Sequence, residues 1–281
     1  MNFLSKSVLA FLVCLSGALI VLFVKLERNF RAQQTMHATL TGKLDDIKNV
    51  FESGRQPSPD LPESHLYGLD ISHWDGDIVN EIPALDHISF LICKATQGKS
   101  GVDPDFADNW TMIRQKGALR GAYHFYLYAD NPVEQAIHFC NTVGPLEQND
   151  IPLVLDVEEL SLPREGVNKH KLQEDVDQFL TEVERRIKRK PIIYMDYAFA
   201  NKYFDDERYA AYPLWLAEYS GSIRPQIPDA WKKAGCMIWQ KSDKYNVNSV
   251  STDFDVFEGV EADILNPKSE NRTETRLLQY P

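Results

Sequence analysis

The chain has 281 residues, 43% hydrophobic and 25% charged, with a formal net charge of −11. That supports one large domain with a core plus extensions. The negative balance excludes a nucleic-acid surface, which needs clustered Lys and Arg, so no nucleic-acid partner is expected.

Taken in order, the chain opens with an unbroken apolar run from Ser7 to Val24, preceded by Lys6 and followed by Lys25, Arg28 and Arg31. The run is long enough for a tilted membrane span and long for a signal-peptide core. Val21-Leu-Phe-Val24 leads straight into charge with no small-x-small cleavage site. Residues 1–31 are therefore expected to be an uncleaved single-pass anchor, a transmembrane helix, with secretion after signal-peptide cleavage as the alternative. The flanking cations are more numerous on the C-terminal side, which by the positive-inside rule would hold the remainder in the cytoplasm.

Residues 32–65 read as a juxtamembrane segment. Met36, Leu40, Leu44, Ile47 and Phe51 recur at helical spacing, a stalk or a weak self-association stripe, and Gly54-Arg-Gln-Pro-Ser-Pro-Asp-Leu-Pro62 reads as a semi-rigid linker. The folded domain is expected over 66–260, leaving 261–281 as a tail. Of the four cysteines, Cys14 lies in the leader. Cys93, Cys140 and Cys236 have no CxxC or metal-ligand spacing, and read as buried thiols, with one disulfide as the alternative.

Within 66–260, short apolar runs alternate with helical patterns. Strands are expected at Tyr67–Ser72, Ile88–Ala95, Ala118–Tyr123, Leu153–Val157, Pro191–Met195, Leu214–Ala217, Met237–Gln240 and Thr252–Val256, and helices at Asp105–Lys116, Pro132–Val143 and Lys171–Lys188. Strand-helix-strand repetition implies a parallel α/β sheet, and eight strands in a domain of this size imply closure into a barrel. The last three strands are too closely spaced for full helices between them. The fold class is thus an irregular TIM-like barrel with eight strands and fewer than eight helices.

In such barrels, function gathers at the C-terminal ends of the strands. There the sequence places Asp70-Ile-Ser72, Asp156-Val-Glu158, Tyr194-Met-Asp196 and Asp253-Phe-Asp255. Asp156 and Glu158 share one side of a strand with backbones roughly 6–7 Å apart, the spacing of paired carboxyl groups that cleave glycosidic bonds. Alone, such a pair also describes a solvated turn. Acids recurring at one end of separated strands raise it above that reading.

These residues carry a resemblance. Gly68-Leu-Asp70-Ile-Ser72-His-Trp74-Asp-Gly76, Phe90-Leu-Ile-Cys-Lys94-Ala-Thr-Gln-Gly98, Asp103-Pro-Asp-Phe106-Ala-Asp-Asn-Trp110, Gly121-Ala-Tyr-His-Phe125, Pro152-Leu-Val-Leu-Asp-Val-Glu158, Pro191-Ile-Ile-Tyr194, Leu214-Trp-Leu-Ala217, Trp239-Gln240 and Asp253-Phe-Asp-Val-Phe-Glu-Gly259 follow one another in order. Over roughly Tyr67 to Gly259 the chain resembles the glycoside hydrolase family 25 lysozymes, the Chalaropsis-type N-acetylmuramidases. The resemblance implies hydrolysis of the β-1,4 bond between N-acetylmuramic acid and N-acetylglucosamine, with peptidoglycan glycan strands as partner and no metal or organic cofactor. It implies Glu158 as general acid and Asp156 orienting the substrate's own acetamido group, with Asp70 and Asp253 keeping Glu158 protonated or stabilising positive charge on the sugar. Asp255, two residues on and facing the same way, is a credible substitute for Asp253. Where the family usually has Gln, this chain has Asp75. Peptidoglycan as substrate places the domain on the extracytoplasmic side, against the cation count, and the chain's acidity is no help in approaching an anionic polymer.

Candidate substrate-binding groups are Tyr123, His124, Tyr126, Tyr194, Asp196, Trp215 and Gln240, the aromatic ones by stacking on sugar rings or, alternatively, by packing the barrel. Lys94 is expected to form an internal ion pair near the pocket. A family 18 type chitinase is set aside because Ile151 and Val154 stand where its motif has acids. A zinc amidase or cysteine peptidase is set aside for lack of a His cluster or a Cys/His pair. A tethered glycan-binding protein without turnover is the non-enzymatic alternative.

Overall fold

The computed structural model describes residues 65–81, 88–247 and 250–267. The expected anchor, stalk and linker, and most of the expected tail, lie outside the described residues, among which no helix is long and apolar enough to cross a membrane.

Eight strands form the barrel: β1 (His65–Ile71), β2 (Phe90–Gln97), β4 (Leu119–Phe125), β5 (Val154–Asp156), β6 (Ile192–Asp196), β7 (Leu214–Ala217), β8 (Ile238–Val247) and β9 (Val250–Glu258). They run in the order β1-β9-β8-β7-β6-β5-β4-β2, and β1 pairs with β2 to close the circle. A two-residue β3 (Gly101–Val102) folds back on the end of β2. Six α-helices are described: α1 (Ile78–Glu81), α2 (Phe106–Gln115), α3 (Pro132–Val143), α4 (Lys169–Ile187), α5 (Tyr197–Tyr203) and α6 (Glu261–Leu265).

The expected all-parallel sheet needs one correction. β9 is antiparallel to both β8 and β1. The reason is the connection: β8 ends at Val247 and β9 begins at Val250, whereas a parallel crossover needs about a dozen residues or more.

Most barrel strands are buried on both faces over their central residues, so their alternating residues feed two separate cores. Leu69, Leu91, Leu155, Ile193 and Leu216 point outward to pack with Phe106, Phe139, Val176 and Phe179 of the helices. Phe90, Ile92, Val154, Ile192, Trp215, Ile238 and Phe257 form a second cluster inside the barrel. Gly68 belongs to the inner set of β1, where a Cβ would lie 2.2 Å from the Phe90 ring. Glycine is needed there because that ring fills the floor. The helices begin where the sequence supplies caps: Asn131 accepts from the N–H groups of Val133 and Glu134 ahead of α3, with Pro132 at the first helical position, and Asn168 accepts from that of Lys171 ahead of α4.

The lower mouth is closed by residues assigned above to the tail. β9 ends beside the start of β1, and Ile264 and Leu265 of α6 join the interior cluster. Arg189 fastens that helix by donating to the Leu265 carbonyl and, at 2.7 Å, to that of Asp150. The packing of the inner core therefore continues through α6. Cys93, Cys140 and Cys236 are free thiols, the first two buried.

Candidate active site

The same alternation that fills the barrel floor delivers polar side chains to its upper mouth. Above the inner residues Ile92, Val154 and Ile192 stand Lys94, Asp156 with Glu158, and Tyr194 with Asp196. The pairing register brings Asp156 beside Tyr194, Ala217 beside Gln240, and Gln240 beside Asp255. Because β9 runs antiparallel, Asp253 faces Asp70 while Asp255 sits one inward step deeper, facing Gly68. Four acids from β1, β5 and β9 thus reach one mouth.

Hydrogen bonds fix the deeper half of the site. Gln240 Nε2 donates to Asp70 Oδ2 at 2.7 Å, while its Oε1 accepts from Tyr194 at 2.8 Å and from the hydroxyl of Tyr219. Two hydroxyl donors on Oε1 fix the orientation of the amide. Trp215 Nε1 donates to Asp255 Oδ1 at 2.8 Å, and Thr252 Oγ1 donates to the Asp70 carbonyl at 3.2 Å.

The electrostatics favour protonated carboxyls. Glu158 is half-buried and its pKa is raised, first by burial, then by the negative charge of Asp196 and Asp253, with Lys94 opposing. Asp156 is raised well above the carboxylate range by burial and by Glu158, again against Lys94. Burial and the neighbouring Asp255 and Asp253 do the same to Asp70. Asp253 is pushed up to about 6 by burial and Asp75, and Asp255 to about 8 by burial and Asp253. Asp156 Oδ1 is buried with no hydrogen-bond partner among the described residues. Asp196 also caps α5 by accepting from the Phe199 N–H at 2.9 Å. Lys94 Nζ donates to Gln97 at 2.9 Å and lies over the Phe125 ring, so its expected ion pair is replaced by a through-space field.

Three expected substrate-binding residues are not at the mouth. His124 belongs to the outer set of β4 and is fully buried between Phe139 and Phe179. Its Nε2 meets Gln135 Oε1 at 3.1 Å and its Nδ1 meets Thr96 Oγ1 at 2.7 Å. Because Gln135 Oε1 already accepts from the Leu127 N–H, Nε2 must donate and the ring is neutral, with burial lowering its pKa to about 3. Tyr126 also faces the helices, its hydroxyl donating to Asp175 of α4 at 3.3 Å. Trp215 does point inward, but it is buried in the floor, edge-on to Tyr194, and offers no ring face to a sugar. Tyr123, Tyr194, Asp196 and Gln240 remain at the site.

Two mouth residues escape strand-end reasoning. Tyr219 continues the inward alternation Trp215, Ala217, Tyr219 past the end of β7, so extending the period by one step finds it. Trp74 is 84% exposed on the turn after Asp70 and packs against His73 at 4.3 Å between centroids. An exposed indole beside the mouth is a natural sugar platform. Asp75 accepts from the Ser72 N–H at 2.8 Å and so holds that turn. Among the described residues, no group of three or more His, Cys, Asp or Glu is arranged to hold a metal ion.

Comparison with known proteins decides the family. Residues 69–250 match Glycosyl hydrolases family 25. The chain belongs to that family. It is 35% identical over 211 residues to the protein YegX of Escherichia coli O6:H1, covering 71% of this chain and 72% of that one. It is 29% identical over 199 residues to Lysozyme M1 of Streptomyces globisporus, covering 68% and 67%. Among solved structures, the bacterial lysozyme of Streptomyces coelicolor superposes with a TM-score of 0.64 at 30% identity, covering 72% of this chain and 96% of that one. The family 25 domain is therefore a glycoside hydrolase, and the resemblance read from the motifs is the relationship the comparisons find.

Proposed function

We propose that this family 25 enzyme is a muramidase that hydrolyses the β-1,4 bond between N-acetylmuramic acid and N-acetylglucosamine in peptidoglycan, with Glu158 as the general acid. The observation that carries the reading is the step from buried Asp156 to half-buried Glu158 at the end of β5, with Asp156 Oδ1 lacking a partner. Burial and the charges of Asp196 and Asp253 keep a proton on Glu158, which is what protonating the leaving glycosidic oxygen requires. The substrate's acetamido N–H is a donor suited to Asp156 Oδ1. Held there, the acetamido carbonyl oxygen attacks the anomeric carbon as the glycosidic bond breaks, giving a cyclic intermediate. Glu158, now ionised, then takes a proton from the water that opens it. Tyr194 and Tyr219, held by Gln240, and Trp74 at the rim supply faces for the neighbouring sugar rings.

Mass spectrometry of muropeptides released from purified cell wall by the full chain tests the reading. Muramic acid at the new reducing ends is the expected product. Reducing glucosamine would make the enzyme a glucosaminidase, cut peptide bonds would remove it from glycosidases, and binding without release would make it a binding module. We also propose that the run from Ser7 to Val24 anchors the enzyme with its domain outside the cytoplasm, where its substrate lies. Retention of the chain in membranes after alkaline extraction is expected, and its release would exclude the anchor.

A further inference from the structure

Asp255 is not needed by the mechanism above, yet it is completely buried beneath it. Its Oδ1 accepts from Trp215 Nε1–H at 2.8 Å. Its Oδ2 is also buried and receives no N–H or hydroxyl donor. Gln240 cannot supply one, because its Nε2 is committed to Asp70 Oδ2 at 2.7 Å and its Oε1 to Tyr194 and Tyr219. Asp70 lies on the strand paired with β9, directly opposite Asp253, with Asp255 one inward step deeper on the same face, and its carboxyl reaches both of these acids. Two carboxyl groups can hold each other only through a proton.

We propose that Asp255 is a positioning residue for Asp70: the two carboxyl groups share a proton, which fastens Asp70 against β9 and limits the pair to one negative charge in the floor of the site. The surroundings agree from every side. β1 contributes Asp70, β7 the Trp215 N–H, β8 Gln240 with the two tyrosine hydroxyls behind it, and β9 itself Asp253. Asp75 adds negative charge from the turn after β1 and Asp243 from β8. No basic side chain acts on Asp255, so a second negative charge in the pair has nothing to balance it. Burial and neighbouring acids raise both members of the pair, and they titrate as a unit.

The Trp215 indole N–H reads this proton directly, because its acceptor is the Asp255 carboxylate. In the full chain carrying 15N-labelled tryptophan, with the Trp215 signal identified by its loss in W215F, the resonance is expected to move in a step near pH 8. That step should vanish in D255N and persist in E158Q. A single step near the ordinary carboxylate value of about 4 with none near 8, or no step, overturns the proposal. Activity gives a second readout. D255A removes both the shared proton and the Trp215 acceptor, and kcat is expected to fall roughly 10²-fold through misplacement of Asp70, with KM little changed. D255N should recover most of that loss, because its amide accepts from Trp215 and donates to Asp70. Equal loss in both variants would overturn the shared proton. Should D255A fail to fold, the indole titration of wild type against D255N still decides. That titration uses no substrate, so its failure is distinct from failure of the muramidase reading.

Discussion

At the lower mouth of the barrel, Asp150 is 1% exposed and fully paired. Arg120 grips it through Nε at 2.6 Å and Nη2 at 3.1 Å, the Glu147 N–H donates to it at 2.7 Å, and the Trp110 ring covers the Arg120 guanidinium at 3.9 Å. At the upper mouth, at most ~22 Å further along the same segment, Asp156 is 8% exposed with one oxygen unpaired and Glu158 two residues on. Nearly equal burial therefore has opposite meanings. Where a cation answers the carboxylate, the ion pair fastens the lower end of the barrel. Where other acids surround it, burial and like charge push the carboxyl pKa upward instead.

The comparison breaks most sharply at Glu158. Replacing Glu158 with Gln removes the proton donor while keeping its shape, so turnover on purified cell wall should fall at least ~10²–10⁴-fold with the melting temperature unchanged. Wild-type-like turnover would remove Glu158 as the acid. Replacing Arg120 with Ala should do the reverse. It strips buried Asp150 of its two Arg120 hydrogen bonds, leaving Arg114 at 3.5 Å and the Glu147 N–H, at a cost of about 1.5–3 kcal/mol in chemical denaturation, with kcat retained under conditions where the variant stays folded.

The upper mouth should also make the domain less stable as pH rises. Asp253 and Asp255 have native values of about 6 and about 8, against an unfolded value of about 4. Between those limits the native state binds more protons than the unfolded chain, so stability is full below about pH 4 and is lost as pH rises through about 8. Melting temperatures across that window should decline, and D253N and D255N should each flatten the slope. A rise instead would mean that the mouth acids are ionised in the fold.

Subtler is the role of Asp196, which raises the pKa of Glu158 through its charge and also caps α5. Asn can still cap a helix, so D196N should keep stability while lowering the Glu158 pKa. The alkaline limb of the pH–rate profile would then move to lower pH, and an unmoved limb would show that Asp196 does not act on Glu158. The smallest effect is expected at Trp74, exposed at the rim. W74A should raise KM by about 3–10-fold, the worth of one aromatic stacking contact, and leave the melting temperature unchanged; loss of stability instead would make it a structural residue.

The eight strands, the three long helices and the acids Asp70, Asp156, Glu158 and Asp253 at the strand ends were legible in the sequence, because short apolar runs, helical periodicity and Asp-x-Glu spacing are local properties. The direction of β9 was not legible, because the expected strands end at Gln240 and resume at Thr252, leaving residues 241–251 between them, close to the dozen or so a crossover needs; only the extension of β8 to Val247 shortens the link. The role of α6 in closing the lower mouth was hidden, since a five-residue helix carries too little pattern to announce what it covers. His124, Tyr126 and Trp215 show the main limit. In a strand buried on both faces, hydrophobicity does not distinguish inside from outside, so Tyr123 and His124 look alike in sequence although one faces the mouth and the other the helices. Depth is equally invisible: Trp215 and Ala217 share a face, but only the register of β7 against its neighbours puts the tryptophan in the floor. The sequence by itself determined which groups could do chemistry and the strand ends they occupy. The closed barrel alone decided which of them face one another, because that depends on pairing register and strand direction, which are set by contacts between distant segments.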